Sequence, residues 1–350
     1  MISNQKVMSD SPSRDQNRGQ HLFWVDVLRV FAAFAVVLIH SGFSRPGLGS
    51  APHTFPDILI ATVSIIARPA VVWFFLLSGA LLLAKEEPLG LFASKRLLKI
   101  AVPLLFWSSF YLALTCLTSE TGLPHLNWDL LTGGAFYHLW FLHALFVIYL
   151  TFPLLRKFCN RLDLMLLFIL IWGTWAYLIP LAAQAFGGPP ANFSYDGNYL
   201  VSYIGYPVLG LLLSKNLAKI PLWLIITIWL STTAIILASV ANFRFSFNIF
   251  YSYKSPLILF YACIGFTLIQ QIPAAPRNAT IARLFNLIAP CTFGIYLIHP
   301  LILRLLNCLP SQDVLDPFTL ILIKATVAFL VSATCVYLIR MTAPGRWVSP

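Results

Sequence analysis

The first apolar stretch of the chain reads Phe23-Trp-Val-Asp26-Val-Leu-Arg29 and continues through an alanine-rich segment to His40. His40 follows Arg29 by eleven positions. On a helix turning 100° per residue they return to within about 20° of each other, about 16 Å apart along the axis. One helix face therefore carries a guanidinium near one end and an imidazole near the other. Asp26 lies one turn before Arg29 and is placed to pair with it. A guanidinium holds anions, and a histidine with an ordinary pKa of about 6.5 moves protons. The pattern suits a protein that grips an anionic donor on one side and does proton chemistry further along. A plainer account has Arg29 snorkelling to one interface and His40 capping the span at the other.

Other ionisable residues lie in similarly apolar surroundings, where each costs a few kcal/mol and so points to function. Arg68 falls about ten residues into the second run, too deep to snorkel easily. It must face a cavity or pair with a polar group, and structural pairing alone would account for it. Ser78-Gly79, further along that run, reads as a close helix–helix contact. Arg96 and Lys99 open the third run together with Lys95, where a positive anchor explains them as well as a phosphate grip does. His138, Trp140 and His143 begin the fourth run, and Tyr296 and His299 lie in the ninth. These five either line an acceptor site or serve as interfacial belt and hydrogen-bonded structural residues. The six cysteines show no CxxC spacing and fall mostly in apolar runs, so neither a disulfide framework nor a metal site is expected.

Positioning these groups is the work of membrane helices. Charged residues make up 10% of the 350, hydrophobic residues 59%, and the mean hydropathy is +0.81. Too few charges are present to cover a water-exposed surface. The net charge of +11 is spread by topology rather than clustered, which argues against nucleic acid. Apolar runs long enough to approach a 30 Å span lie near 22–42, 59–84, 97–117, 136–155, 163–183, 199–214, 221–240, 255–272, 284–307 and 318–339. The sixth is short and the ninth is interrupted by Pro290 and Pro300. The expected fold is all-α, a polytopic bundle of about ten spans. Sixteen Lys and Arg fall in one alternate set of connecting segments and four in the other, with Arg29, Arg68 and Lys324 inside spans. That asymmetry puts both termini in the cytoplasm. A polar tail is expected over 1–20, one transmembrane domain over 21–340 and a cytoplasmic C-terminal tail over 341–350. Trp128, Asp129, Tyr195 and Asp196 are candidate lining residues in the outer loops.

The same residues resemble a known family. Arg29 and His40 with ten residues between them match the R-x10-H pattern of the acyltransferase-3 family of integral-membrane O-acyltransferases. Arg68 through Gly79 is similar to that family's second span. Arg96-Leu-Leu-Lys99 resembles its basic RxxR motif, with Lys99 in place of the second Arg. His138-Leu-Trp-Phe-Leu and Gly294-Ile-Tyr-Leu-Ile-His299-Pro resemble its fourth-span and late-span signatures. The likeness runs from residue 22 to about 340.

The resemblance implies transfer of an acyl group, most often acetyl from cytoplasmic acetyl-CoA, to a hydroxyl of a cell-surface or lipid-linked saccharide. It implies a multi-pass protein of the bacterial inner membrane with no metal. His40 would be general base or transient acyl carrier, Asp26 would orient Arg29, and Arg68 would stabilise the oxyanion. Arg29, Arg96 and Lys99 would hold coenzyme A, and His138, Trp140, His143, Tyr296 and His299 would contact substrate. Lys99 lacks the bidentate fork of the guanidinium it replaces. Many members carry a C-terminal SGNH hydrolase domain; none is visible up to Pro350, so a separate partner protein or a homo-oligomer stays open. A rival expectation is a transporter or flippase for a lipid-linked sugar or acylated polymer, since intramembrane charges also mark translocation pathways.

Overall fold

The computed structural model describes residues 22–43, 54–118, 136–187, 199–216, 220–241, 255–273, 278–308 and 315–350. No water is present inside a bilayer to take up peptide N–H and C=O groups, so apolar runs must close their hydrogen bonds internally. Among the described residues every element is helical and no strand occurs. In chain order they are α1 (Phe23–Leu38), α2 (Phe55–Ala67), α3 (Ala70–Leu82), α4 (Leu89–Phe92), α5 (Leu98–Thr118), α6 (Trp140–Leu155), α7 (Leu162–Gly173) and α8 (Ile179–Ala185). There follow α9 (Tyr199–Tyr203), α10 (Gly205–Asn216), α11 (Leu222–Ala241), α12 (Pro256–Gln270), α13 (Ala279–Ile288), α14 (Thr292–Asn307), α15 (Pro317–Arg340) and α16 (Gly345–Val348).

Among the described residues seven continuous stretches are long and apolar enough to cross a membrane: Phe23–Gly42, Phe55–Leu82, Leu89–Thr118, Leu162–Ala183, Leu222–Ser239, Ala279–Asn307 and Pro317–Arg340. The helices α6 and α12 are apolar but shorter. The sixth expected run is two short helices, α9 and α10, parted by a turn at Ile204. Leu105, Leu117, Leu170, Trp175, Ile235 and Leu338 are 54–84% exposed on the outside. So much bare apolar surface belongs in hydrocarbon, and the chain is an integral membrane protein.

Helix starts follow local chemistry. Thr54 and Asp57 form a reciprocal capping box ahead of α2. The Asp316 carboxylate accepts from the Thr319 N–H at 3.0 Å ahead of Pro317. The interior is organised on α1, which touches α2, α3, α12, α13, α14 and α15. Its Ala32, Ala33 and Ala35 are at most 1% exposed, and side chains this small let several helices approach one axis. The close contact expected at Ser78-Gly79 is present between α3 and α10. A Cβ on Gly79 would sit 1.8 Å from the Pro207 carbonyl oxygen, and one on Gly210 would sit 2.0 Å from that of Leu76.

Four interruptions matter for the site. Arg68 and Pro69 part α2 from α3, π-helical turns occur at Ile39–Phe43 and Ala93–Leu97, and a 3₁₀ turn at Ala289–Cys291 precedes α14. Residues 341–350 fold back onto the bundle: the Trp107 indole donates to the Val348 carbonyl at 2.9 Å, and Ser349 is buried against Gly294. All six cysteines are free. The tail expected over 1–20 and the loop residues Trp128, Asp129, Tyr195 and Asp196 lie outside the described residues.

Candidate functional site

The π-helical turn Ala93–Leu97 carries Lys95 and Arg96 into α5, and Lys99 follows one turn on. A cavity of about 420 Å³ opens there. Five cations line it: Arg29 from α1, Lys95, Arg96 and Lys99 from the start of α5, and Arg340 from the end of α15. Among the described residues no Asp or Glu side chain does. Phe74, Leu77, Phe141, Leu145 and Phe293 supply apolar wall, and Tyr296 from the middle of α14 completes the lining. A cavity with concentrated positive charge and apolar walls fits a long ligand with an anionic head and an uncharged arm.

Three of these cations, Arg29, Arg96 and Arg340, are held from behind. Asp26, 5% exposed, lies 3.9 Å from Arg29. The Arg340 guanidinium donates to the Ser349 carbonyl at 3.0 Å. Arg96 Nη2 donates to Glu87 at 3.3 Å, and the other Glu87 oxygen accepts from Arg156 at 3.5 Å. Arg156 also donates twice to the Leu82 carbonyl and lies over the Phe92 ring. Burial pushes the Glu87 carboxyl up, but the hydrogen bond and charge of Arg96, with those of Arg156, outweigh it. Its pKa falls below the ordinary 4.5. The Arg96 Nε is buried without a hydrogen-bond partner. An orphan charged donor of this kind on a cavity wall is what a phosphate oxygen would satisfy.

The second half of the site is built on the π-helical turn at the end of α1. Gly42 there adopts φ +138°, open only to glycine without strain, and lies against Ile321 of α15. The widened turn presents His40 to α14. His40 Nδ1 and His299 Nε2 are hydrogen-bonded at 2.8 Å. The Tyr137 ring meets His40 edge-on at 5.0 Å, and the His138 ring meets His299 edge-on at 5.6 Å. The Tyr296 hydroxyl donates to the His138 carbonyl. Both ring nitrogens of His138 are buried without a good hydrogen bond, although the Leu297 carbonyl lies near enough to act on the ring. Arg68, at the break between α2 and α3, lies near enough for its charge to act on His40. Tyr296 joins the halves: it lines the cavity and stands one turn from His299, about 4.5 Å of helix rise.

A family model of the acyltransferase domain, acyltransferase 3, matches residues 22–340. The chain belongs to the acyltransferase-3 family. No curated protein and no solved structure matches it. In this acyltransferase the expected coenzyme A residues Arg29, Arg96 and Lys99 share one cavity. His40, Arg68, His138, Tyr296 and His299 come together around the end of α1. Two expected substrate residues do not join them. His143 bonds the Leu139 carbonyl at 3.1 Å within its own helix, and Trp140 packs on Tyr203. Among the described residues no group of three or more His, Cys, Asp or Glu is arranged to hold a metal ion.

Several groups in the acyltransferase's site carried no distinctive signal in the sequence. Lys95 and Arg340 line the cavity, yet each reads as an ordinary cytoplasmic anchor. Tyr149 also lines it, donating to Ser78 at 3.0 Å, and reads as one aromatic among many. Tyr137 was hidden beside two histidines with stronger chemical character.

Proposed function

We propose that this acyltransferase moves an acyl group, acetyl foremost, from cytoplasmic acyl-CoA to a hydroxyl of a cell-surface or lipid-linked saccharide. The observation that carries the proposal is one cavity joining five cations to Tyr296, a single turn from the His299 that bonds His40. Arg29, Arg96 and Lys99, with Lys95 and Arg340, bind the phosphates of coenzyme A, and the orphan Arg96 Nε takes one phosphate oxygen. The aromatic and leucine walls take the uncharged arm and bring the thioester towards Tyr296.

His40 acts as general base. It accepts the acceptor's hydroxyl proton as that oxygen attacks the thioester carbonyl carbon. Arg68 stabilises the resulting oxyanion, and Asp26 orients Arg29. When the C–S bond breaks, the proton passes from His40 to the sulfur, leaving an ester and free coenzyme A. The bundle crosses the bacterial inner membrane about ten times, and the sixteen-to-four distribution of cations supports both termini on the coenzyme A side.

Replacement of His40 by Ala tests the proposal. It should abolish label transfer from acetyl-CoA to membrane-bound glycan and leave coenzyme A binding intact. Unimpaired acetylation in that variant would remove His40 from the chemistry.

A further inference from the structure

We propose that His299 is a positioning residue that sets the tautomer of His40, leaving His40 Nε2 as the bare nitrogen that takes the acceptor's proton; this rests on the acyl-transfer proposal above. Hydrogen-bond bookkeeping leads there from the backbone. His299 Nδ1 lies 2.8 Å from the Tyr296 carbonyl oxygen and 3.2 Å from that of Ile295. Carbonyl oxygens only accept, so Nδ1 carries the hydrogen. His299 is 0% exposed, where a neutral ring is favoured over a charged one. A neutral ring protonated at Nδ1 has its lone pair on Nε2. The atom facing that lone pair at 2.8 Å is His40 Nδ1, which must therefore be the donor. A neutral His40 holding its hydrogen on Nδ1 has Nε2 free to act as base.

The ring geometry agrees. The two imidazole planes lie within 4° of each other with centroids 5.1 Å apart. That separation is what an in-plane bond of 2.8 Å gives once each ring's own radius is added. The rings thus meet edge to edge, with the hydrogen aimed along the lone pair of Nε2. His40 is only half-buried, and its Nε2 makes no hydrogen bond among the described residues.

Pro300 explains why the Tyr296 carbonyl is available. In an α-helix that oxygen would accept from the N–H four residues on, and residue 300 has none. The proline inside α14 leaves an acceptor unclaimed one turn below His299, and His299 Nδ1 takes it. The pair His299-Pro300 is thus one device: the proline frees the carbonyl, the carbonyl fixes His299, and His299 fixes His40. It does the work of the orienting group in a catalytic triad with a neutral backbone acceptor in place of a carboxylate.

Membrane vesicles carrying the full chain, assayed with labelled acetyl-CoA for transfer to vesicle glycan, test the assignment together with calorimetry of coenzyme A on purified protein. His299→Leu should lower the maximal rate at least 100-fold, while KM for acetyl-CoA and Kd for coenzyme A stay within threefold. His299→Gln, whose amide oxygen stands near the place of Nε2 and accepts from His40 Nδ1, should recover at least tenfold over the Leu variant. A His299→Leu rate within threefold of wild type overturns the assignment, as does a Gln variant that binds coenzyme A but transfers no better than Leu. If His299→Leu loses coenzyme A binding through misfolding, the Gln variant decides alone: near-normal KM with a partial rate supports the role, and a raised KM with a normal rate overturns it. A wild-type chain that neither binds coenzyme A nor transfers acetyl overturns the acyl-transfer proposal and this one with it.

Discussion

Replacing Arg96 with Ala removes one of the five cations of the cavity, and the one whose Nε is buried without a partner. A hydrogen bond to a charged group contributes about 1.5–3 kcal/mol, so its loss weakens coenzyme A binding roughly ten- to 150-fold. Two features of the structure set where in that range the effect falls. The Arg96 side chain is 30% exposed, so solvent and salt screen part of its charge and pull the effect towards tenfold. Against that, Glu87 loses one of its two guanidinium partners and presents a less compensated carboxylate beside the bound phosphates. We expect about 30-fold at low salt, shrinking towards tenfold near physiological ionic strength. Arg96→Lys keeps the charge without the fork and should fall between. Calorimetric titration of the purified protein with coenzyme A measures this. Lys85→Ala, an exposed cation off the cavity, controls for net charge. A Kd within twofold of wild type for Arg96→Ala, or an equal loss in Lys85→Ala, would refute the phosphate role.

Glu87 should make the clamp pH-sensitive in a defined direction. Its folded pKa is lowered, so its ion pairs contribute fully above the ordinary 4.5 and are lost as pH falls through the lower, folded value. The difference in melting temperature between wild type and Glu87→Gln should therefore be largest above pH 4.5 and shrink below it; a difference that stays constant on acidification rules this out. Gly79→Val should destabilise the bundle at the upper end of the ~1–3 kcal/mol typical of overpacking, because the new Cβ meets the rigid Pro207 backbone. An unchanged melting temperature in detergent would mean that α3 and α10 can part at no cost.

Much of the helical scaffold was legible in the sequence because hydropathy acts locally. Apolar runs near 97–117, 163–183 and 318–339 became helices that are long and apolar enough to span, since in lipid each must satisfy its own backbone. The weakest runs were legible as such: the sixth is broken at Ile204, and the ninth turns 3₁₀ at Ala289–Cys291 around Pro290. Arg29, Arg96 and Lys99 could be named as one set only through the family resemblance of their motifs, since a basic anchor accounts for Arg96 and Lys99 equally well. The cavity that unites them was not legible, because Arg340 and Tyr296 reach it from helices far along the chain. His143 shows the converse. Its type and position suggested a site, and its ring bonds the carbonyl of Leu139, the cap residue of its own helix.

The sequence by itself determined the class of the protein, its solvent and the face that Arg29 and His40 share, since composition and helical period involve only neighbours in the chain. Tertiary structure alone decided which histidine touches which. His40 and His299 lie 259 residues apart, and no local rule relates them. They meet because the π-helical turn around Gly42 re-aims the end of α1 and small alanines let α14 pack against it. Pro300 then frees the carbonyl that holds His299. A proton's place on an imidazole ring depends on its partners, and packing chooses the partners.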